Sequence, residues 1–132
     1  MIGLDTNLLV RYFTRDDLEQ CELVSVLLEG LSGENPGYVS LVTVVELWWV
    51  LGSRSYRYSR SQLYEVFRHL LQSSYLVVES REMVANALHM ANLLRADFAD
   101  CLIQCVSMEA GCETVFTFDK DAARAAGMTL LG

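Results

Sequence analysis

MIGLDTNLLVRYFTRD, residues 1–16, changes its apolar rhythm within a few positions, and the reading of that change decides the fold. Met1, Ile2 and Leu4 form a short apolar run of the kind that makes a strand, whereas beyond Asn7 the apolar residues recur at helical spacing. The stretch predicts a strand, "MIGL", running into a short helix, "NLLVRYFTRD", that Asn7 is placed to cap. Asp5 stands at the junction, an unpaired carboxylate at the end of the strand.

The same alternation continues outward from this first pair. "LEQCELVSVLLEGL" has helical periodicity, with Asp17 and Gln20 spaced as a capping pair, and "GYVSL" follows Pro36 as a strand. From about Thr43, "TVVELWWVLGSR" reads as a helix, and after an Arg/Tyr/Ser loop "SQLYEVFRHLLQSS" is another. The strand "YLVVE" precedes two helices, "REMVANALHMANLLRA" and "DFADCLIQCVSMEAG", the second opened by Asp97 and closed by Gly111. "TVFTF", the helix "DKDAARAAG" and a last strand "MTLL" complete the chain. Apolar strands joined by helix-length crossovers predict a mostly parallel central sheet covered on both faces, hence an α/β, three-layer α/β/α class. With 132 residues and no repeat or linker, the expectation is one domain, 1–132.

Composition narrows the function. A hydrophobic content of 52% and a mean hydropathy of +0.25 are high for so short a soluble chain, and predict apolar surface covered by a second subunit or another partner. The longest apolar run, "YVSLVTVVELWWVLG", is broken by Glu46, and nothing before Asp5 has the make-up of a signal peptide, so no membrane association and a cytoplasmic location are expected. The net charge of −7 argues against a general electrostatic grip on nucleic acid, yet an acidic cluster that holds cations gives a chain the same balance. Cys21, Cys101, Cys105 and Cys112 form no CxxC pair; Cys101 and Cys105, one turn apart in an apolar segment, read as small buried hydrophobes rather than zinc ligands.

In open α/β sheets, functional groups collect beyond the carboxyl ends of the strands. Asp5 ends the first strand and Asp119 ends "TVFTF"; each is open to two readings, ligand or plain N-cap of the following helix. Glu46 has capping-box spacing from Thr43, and also the position from which a carboxylate one turn into a helix points back over the sheet. Asp97 and Asp100 lie three apart, so Asp97 as N-cap leaves Asp100 in the first turn as the candidate ligand, with the reverse assignment open. If Asp5, Glu46, Asp100 and Asp119 converge, like charge requires protonation or a cation among them. Oxygen-only ligands favour Mg²⁺ or Mn²⁺, and the chemistry that follows is attack of a metal-activated water on a phosphodiester. Asn7 and Thr117 are placed to support such a site, with capping and strand propensity as their plainer roles.

These residues resemble the PIN-domain family, and within it the VapC-like toxins of bacterial toxin–antitoxin pairs. The similarity runs through "LDTNLLVRYF", "SLVTVVELWWVL", "ADFADCLI" and "TFDKDAARAAGM", in order, from residue 2 to about residue 130. It implies a metal-dependent endoribonuclease of three-layer fold, with Asp5, Glu46, Asp100 and Asp119 as the acidic positions of a Mg²⁺ or Mn²⁺ site, and Asp97 in the matching segment. It also implies an RNA substrate, a homodimer, and inhibition by a VapB-like antitoxin that lays a peptide across the active-site groove.

Two features outside the acidic set fit this picture. "SRSYRYSRSQLYEVFR" intersperses Arg54, Arg57, Arg60 and Arg68 with Tyr56, Tyr58 and Tyr64, a combination suited to phosphates and unpaired bases, or to a plain solvated loop. Trp48 and Trp49 are helix neighbours that diverge by about 100° and so cannot face one core together. Two other functions compete. A phosphotransferase with an aspartate nucleophile, of haloacid-dehalogenase type, needs a second Asp where Asn7 stands. A non-catalytic module whose acidic groove receives a basic partner peptide needs only the carboxylates.

Overall fold

A computed structural model describes every residue of the chain, Met1–Gly132. Cα packing divides it into two compact units, Met1–Glu79 and Ser80–Gly132.

The first unit contains β1 (Ile2–Gly3), α1 (Thr6–Thr14), α2 (Leu18–Glu29), β2 (Gly37–Val39), α3 (Leu41–Leu51), α4 (Arg60–Gln72) and β3 (Leu76–Val78). Its three strands pair in the order β1-β2-β3, both pairs parallel, with Ile2 opposite Gly37 and Val39 opposite Val78. Parallel neighbours require crossovers, and each is made here by two helices. The core is built from Leu9, Val10, Val39, Val44, Leu47, Leu51, Phe67 and Leu70, all essentially sealed from solvent. Each such Leu or Phe contributes about 1.5–3 kcal/mol through burial.

The second unit contains α5 (Arg81–Leu94), α6 (Phe98–Glu109), β4 (Phe116–Thr117), α7 (Lys120–Ala125) and β5 (Thr129–Leu130). Helices α5 and α6 pack together. β4 and β5 are parallel, with Phe116 opposite Thr129, and α7 is the crossover between them. Gly127, with φ of +85°, turns the chain from α7 into β5, in the left-handed region that glycine enters without a Cβ penalty.

Order and type of the elements follow the sequence expectation, and every strand pair is parallel. Three details differ. The cap of α1 is Asp5, not Asn7: Asp5 is extended and its Oδ1 accepts from the Leu8 amide at 3.0 Å, which puts Asn7 inside the first turn. Helix α3 begins at Leu41, two residues ahead of Thr43, because Ser40 caps it by accepting from the Thr43 amide at 3.2 Å. The strands are short and not buried throughout: β2 and β3 bury their outer residues, while Val77 between them is exposed and so are both residues of β1 and of β5.

Candidate active site

In the first unit the site begins where β1 gives way to α1. Asp5 caps the helix with Oδ1, which satisfies one of the orphan amides of the first turn. Thr6, the next residue, is buried, and its hydroxyl donates to Glu46 Oε1 at 3.3 Å. Glu46 is the sixth residue of α3, beyond the reach of a capping box, and the Ser40 hydroxyl takes the place Thr43 was expected to fill. β1 and β2 are parallel neighbours, so the starts of α1 and α3 leave the same end of the sheet. The Thr6–Glu46 bond is the direct consequence: it brings Glu46 beside the residue that follows Asp5.

Two supports of this arrangement were not singled out in the sequence. Thr6 is one; the other is Glu79, which follows β3 and accepts from the Leu41 amide at 3.0 Å, so it anchors the start of the helix that carries Glu46. Burial and the Glu79 carboxylate push the Tyr38 phenol above its usual range. Glu79 carries the same signal as Asp5 and Asp119, a carboxylate directly after an apolar strand, and could have been found by it. Thr6 carried no signal, because its partner lies 40 positions away.

The second unit gathers three more carboxylates. Asp97 caps α6, its Oδ1 accepting from the Asp100 amide at 3.0 Å, and Asp100 lies in the first turn, as the spacing predicted. Asp119 follows β4 and caps α7, with Oδ1 accepting from the Asp121 and Ala122 amides at 2.8 and 3.1 Å. The Thr117 hydroxyl accepts from the Asp119 amide at 3.0 Å and so fixes the backbone that presents this carboxylate. Partial burial and the charges of Asp97 and Asp119 hold the Asp100 carboxyl above its ordinary value. Like charge is thus crowded here, the condition a cation relieves.

The donors are all oxygens, which suits a hard divalent ion. No three of the Asp, Glu, His and Cys side chains form a group that could by itself hold a metal. The cysteines offer no competing site: all four are free thiols, with Cys21 and Cys101 buried, Cys105 half-buried and Cys112 exposed.

The arginine-rich loop is more ordered than its composition suggests. The Tyr56 hydroxyl donates to Asp16 Oδ2 at 2.8 Å and accepts from the Arg11 guanidinium at 3.2 Å, and the Tyr58 hydroxyl donates to the Phe13 carbonyl at 3.4 Å. The loop is tied to α1 and to the turn after it. Arg54 and Arg57 are exposed, Arg57 donating to the Arg54 carbonyl at 3.2 Å, and Arg60 opens α4.

Parallel strands joined by helical crossovers, with carboxylates after the first and fourth strands and on the helices beyond, define an α/β protein with acidic strand ends. The PIN-domain family model matches residues 2–128, and the chain belongs to that family, with its three-layer α/β/α fold. It is similar to a VapC ribonuclease of Aquifex aeolicus (strain VF5), 25% identical over 118 residues that cover 89% of this chain and 86% of that protein.

Proposed function

We propose that the protein is a Mg²⁺- or Mn²⁺-dependent endoribonuclease, the toxin of a VapBC-like pair, acting in the cytoplasm. One observation carries this reading: the family match extends over residues that include all four acidic positions, Asp5, Glu46, Asp100 and Asp119. The name of the relative from Aquifex aeolicus supports ribonuclease chemistry, and the VapB-like antitoxin is the partner that the resemblance to VapC-like toxins implies. In this reading the 132 residues act as one domain, and the four carboxylates serve one reaction.

Asp5, Asp100 and Asp119 would hold the ion, which when bound would activate water and stabilise the leaving oxygen of a phosphodiester. Asp5 spends one oxygen on one helix amide and Asp119 one oxygen on two, which holds each carboxylate still and leaves its other oxygen for the ion. Glu46, oriented by Thr6, is the general base in this assignment: its second oxygen takes the proton of the attacking water. Asp97 keeps the first turn of α6 in register under Asp100, and Thr117 does the same for Asp119. Asn7, exposed on the first turn of α1, supports the site from its rim. Arg54, Arg57 and Arg60 receive the flanking RNA phosphates.

The apolar content finds a use in the same reading. Leu23, Val26 and Leu27 are exposed at helical spacing on α2, a face suited to the second subunit of a homodimer or to an apolar stretch of the antitoxin. No helix is long and apolar enough to cross a membrane.

The test is cleavage of a single-stranded RNA by the purified chain with Mg²⁺ or Mn²⁺, set against Asp5→Asn and Asp100→Asn. Asn caps a helix about as well as Asp, so Asp5→Asn removes charge while keeping α1 intact. Each substitution is expected to lower kcat by on the order of 100-fold or more; undiminished cleavage by both variants with saturating metal overturns the reading. The second reading, a non-catalytic groove for a basic peptide, is favoured by the lack of any three side chains grouped to hold a metal. It predicts that the parent protein neither binds Mn²⁺ nor cleaves RNA.

A further inference from the structure

We propose that the groove between α3 and the start of α4 is a subsite for one unpaired RNA base, stacked on Trp49, with the adjoining phosphates drawn in by Arg54 and Arg57. This inference rests on the ribonuclease reading and extends it to a place where the strand is held away from the carboxylates.

The groove is an open cavity of about 230 Å³ lined by Trp48, Trp49, Gly52, Tyr58, Arg60 and Leu63. Its size is below the ~300 Å³ at which sites for drug-sized ligands begin, which suits one planar ring rather than a whole cofactor. The two tryptophans do different work. Trp48 is buried and packs edge-on against Phe67, with ring centroids 5.4 Å apart, whereas Trp49 is 59% exposed. A single exposed apolar side chain is ordinary; this one borders a cavity that has two more aromatic residues in its wall. The Tyr58 ring is held by its hydroxyl on the Phe13 carbonyl, so that wall is fixed before any ligand arrives.

Charge points to the same occupant. The chain carries a net −7, yet from Gly52 to Tyr64 there are three arginines and no carboxylate. Arg60 lines the groove and Arg54 and Arg57 are exposed on the loop before it, and aromatic rings beside cations form the usual platform for single-stranded nucleic acid. A second cavity of about 330 Å³, lined by Tyr12, Phe13, Arg15, Glu65, Val66 and His69, is less suited. Tyr12 and Phe13 already pack on His69, at centroid distances of 6.3 and 6.0 Å, and Glu65 repels phosphate.

The test uses the full chain and a labelled, uncleavable 2′-O-methyl RNA octamer, with binding read by fluorescence anisotropy and oligomeric state by sedimentation. Trp49→Ala is expected to weaken binding roughly tenfold, the loss of one base–aromatic stack, and Trp49→Phe to restore most of it. Arg54→Ala with Arg57→Ala should weaken binding and flatten its salt dependence. On a cleavable RNA, Trp49→Ala should raise KM by a similar factor and leave kcat unchanged. The proposal is overturned if the parent does not bind the octamer or if Trp49→Ala binds it as tightly as the parent. It is equally overturned if Trp49→Ala turns a dimer into a monomer with RNA binding intact, which would make this face a contact between copies of the chain. A parent that binds the octamer but cuts no RNA sinks the ribonuclease reading and leaves the subsite standing.

Discussion

Asp100 carries its negative charge at a cost, because it is partly buried and faces the charges of Asp97 and Asp119. A carboxyl whose folded value is raised binds its proton more tightly in the folded state than in the unfolded one. Stability therefore falls as pH rises from the ordinary carboxylate range through the raised value, and the penalty persists at neutral pH. Asp100→Asn removes the titration: urea melts in EDTA should show the variant more stable than the parent at pH 7, with the difference closing in acid, where both side chains are neutral. A site evolved only for stability has no reason to keep such a charge, whereas a cation site does. Thr6 and Glu46 make the opposite point about legibility. Asp5 and Glu46 could be picked out from sequence position, but the hydrogen bond that links their neighbourhoods joins positions 6 and 46, and only the parallel pairing of β1 with β2 makes that pair adjacent.

At the scale of elements, the helices were readable because their signals are local. Asp17 accepts from the Gln20 amide and Asp97 from the Asp100 amide, each within four residues of chain. The Asn7 assignment failed within the same logic: two capping residues stood two positions apart, and the extended backbone of Asp5 decided between them. Strand extent was less legible, since a strand ends where its neighbour ends. Gly37 shows how tightly one such pairing is made. A Cβ there would stand 2.7 Å from Leu4 Cδ1 and 3.0 Å from Leu31 Cδ1, and Leu4 is itself buried and cannot swing clear. Gly37→Ala should cost about 1–3 kcal/mol in chemical denaturation, the usual penalty of overpacking. Because Leu4 directly precedes Asp5, cleavage activity should fall in the same variant by more than the loss of folded protein explains.

For the whole molecule, the proposed ion makes a prediction that no single element does. A ligand that binds only the folded chain stabilises all of it, by about 2.7 kcal/mol at a concentration one hundred times its Kd, or about 10 °C in Tm for a chain of this size. Mn²⁺ should raise Tm by that order in calorimetry, and the double variant Asp5→Asn, Asp119→Asn should lose most of the rise while keeping both helix caps. A Tm indifferent to Mn²⁺ would favour the peptide-binding reading. The α/β class, the order of the elements, the Asp17 and Asp97 caps and the acidic residues were determined by sequence alone, because apolar period, capping chemistry and strand-end carboxylates act over a few neighbouring residues. The tertiary structure decided the rest: which carboxylate meets which hydroxyl, that Asp97 and Asp119 both press on Asp100, that Glu79 anchors α3, and that Trp49 borders a cavity. These depend on strand pairing and helix packing between positions far apart in the chain, and no local rule of spacing contains them.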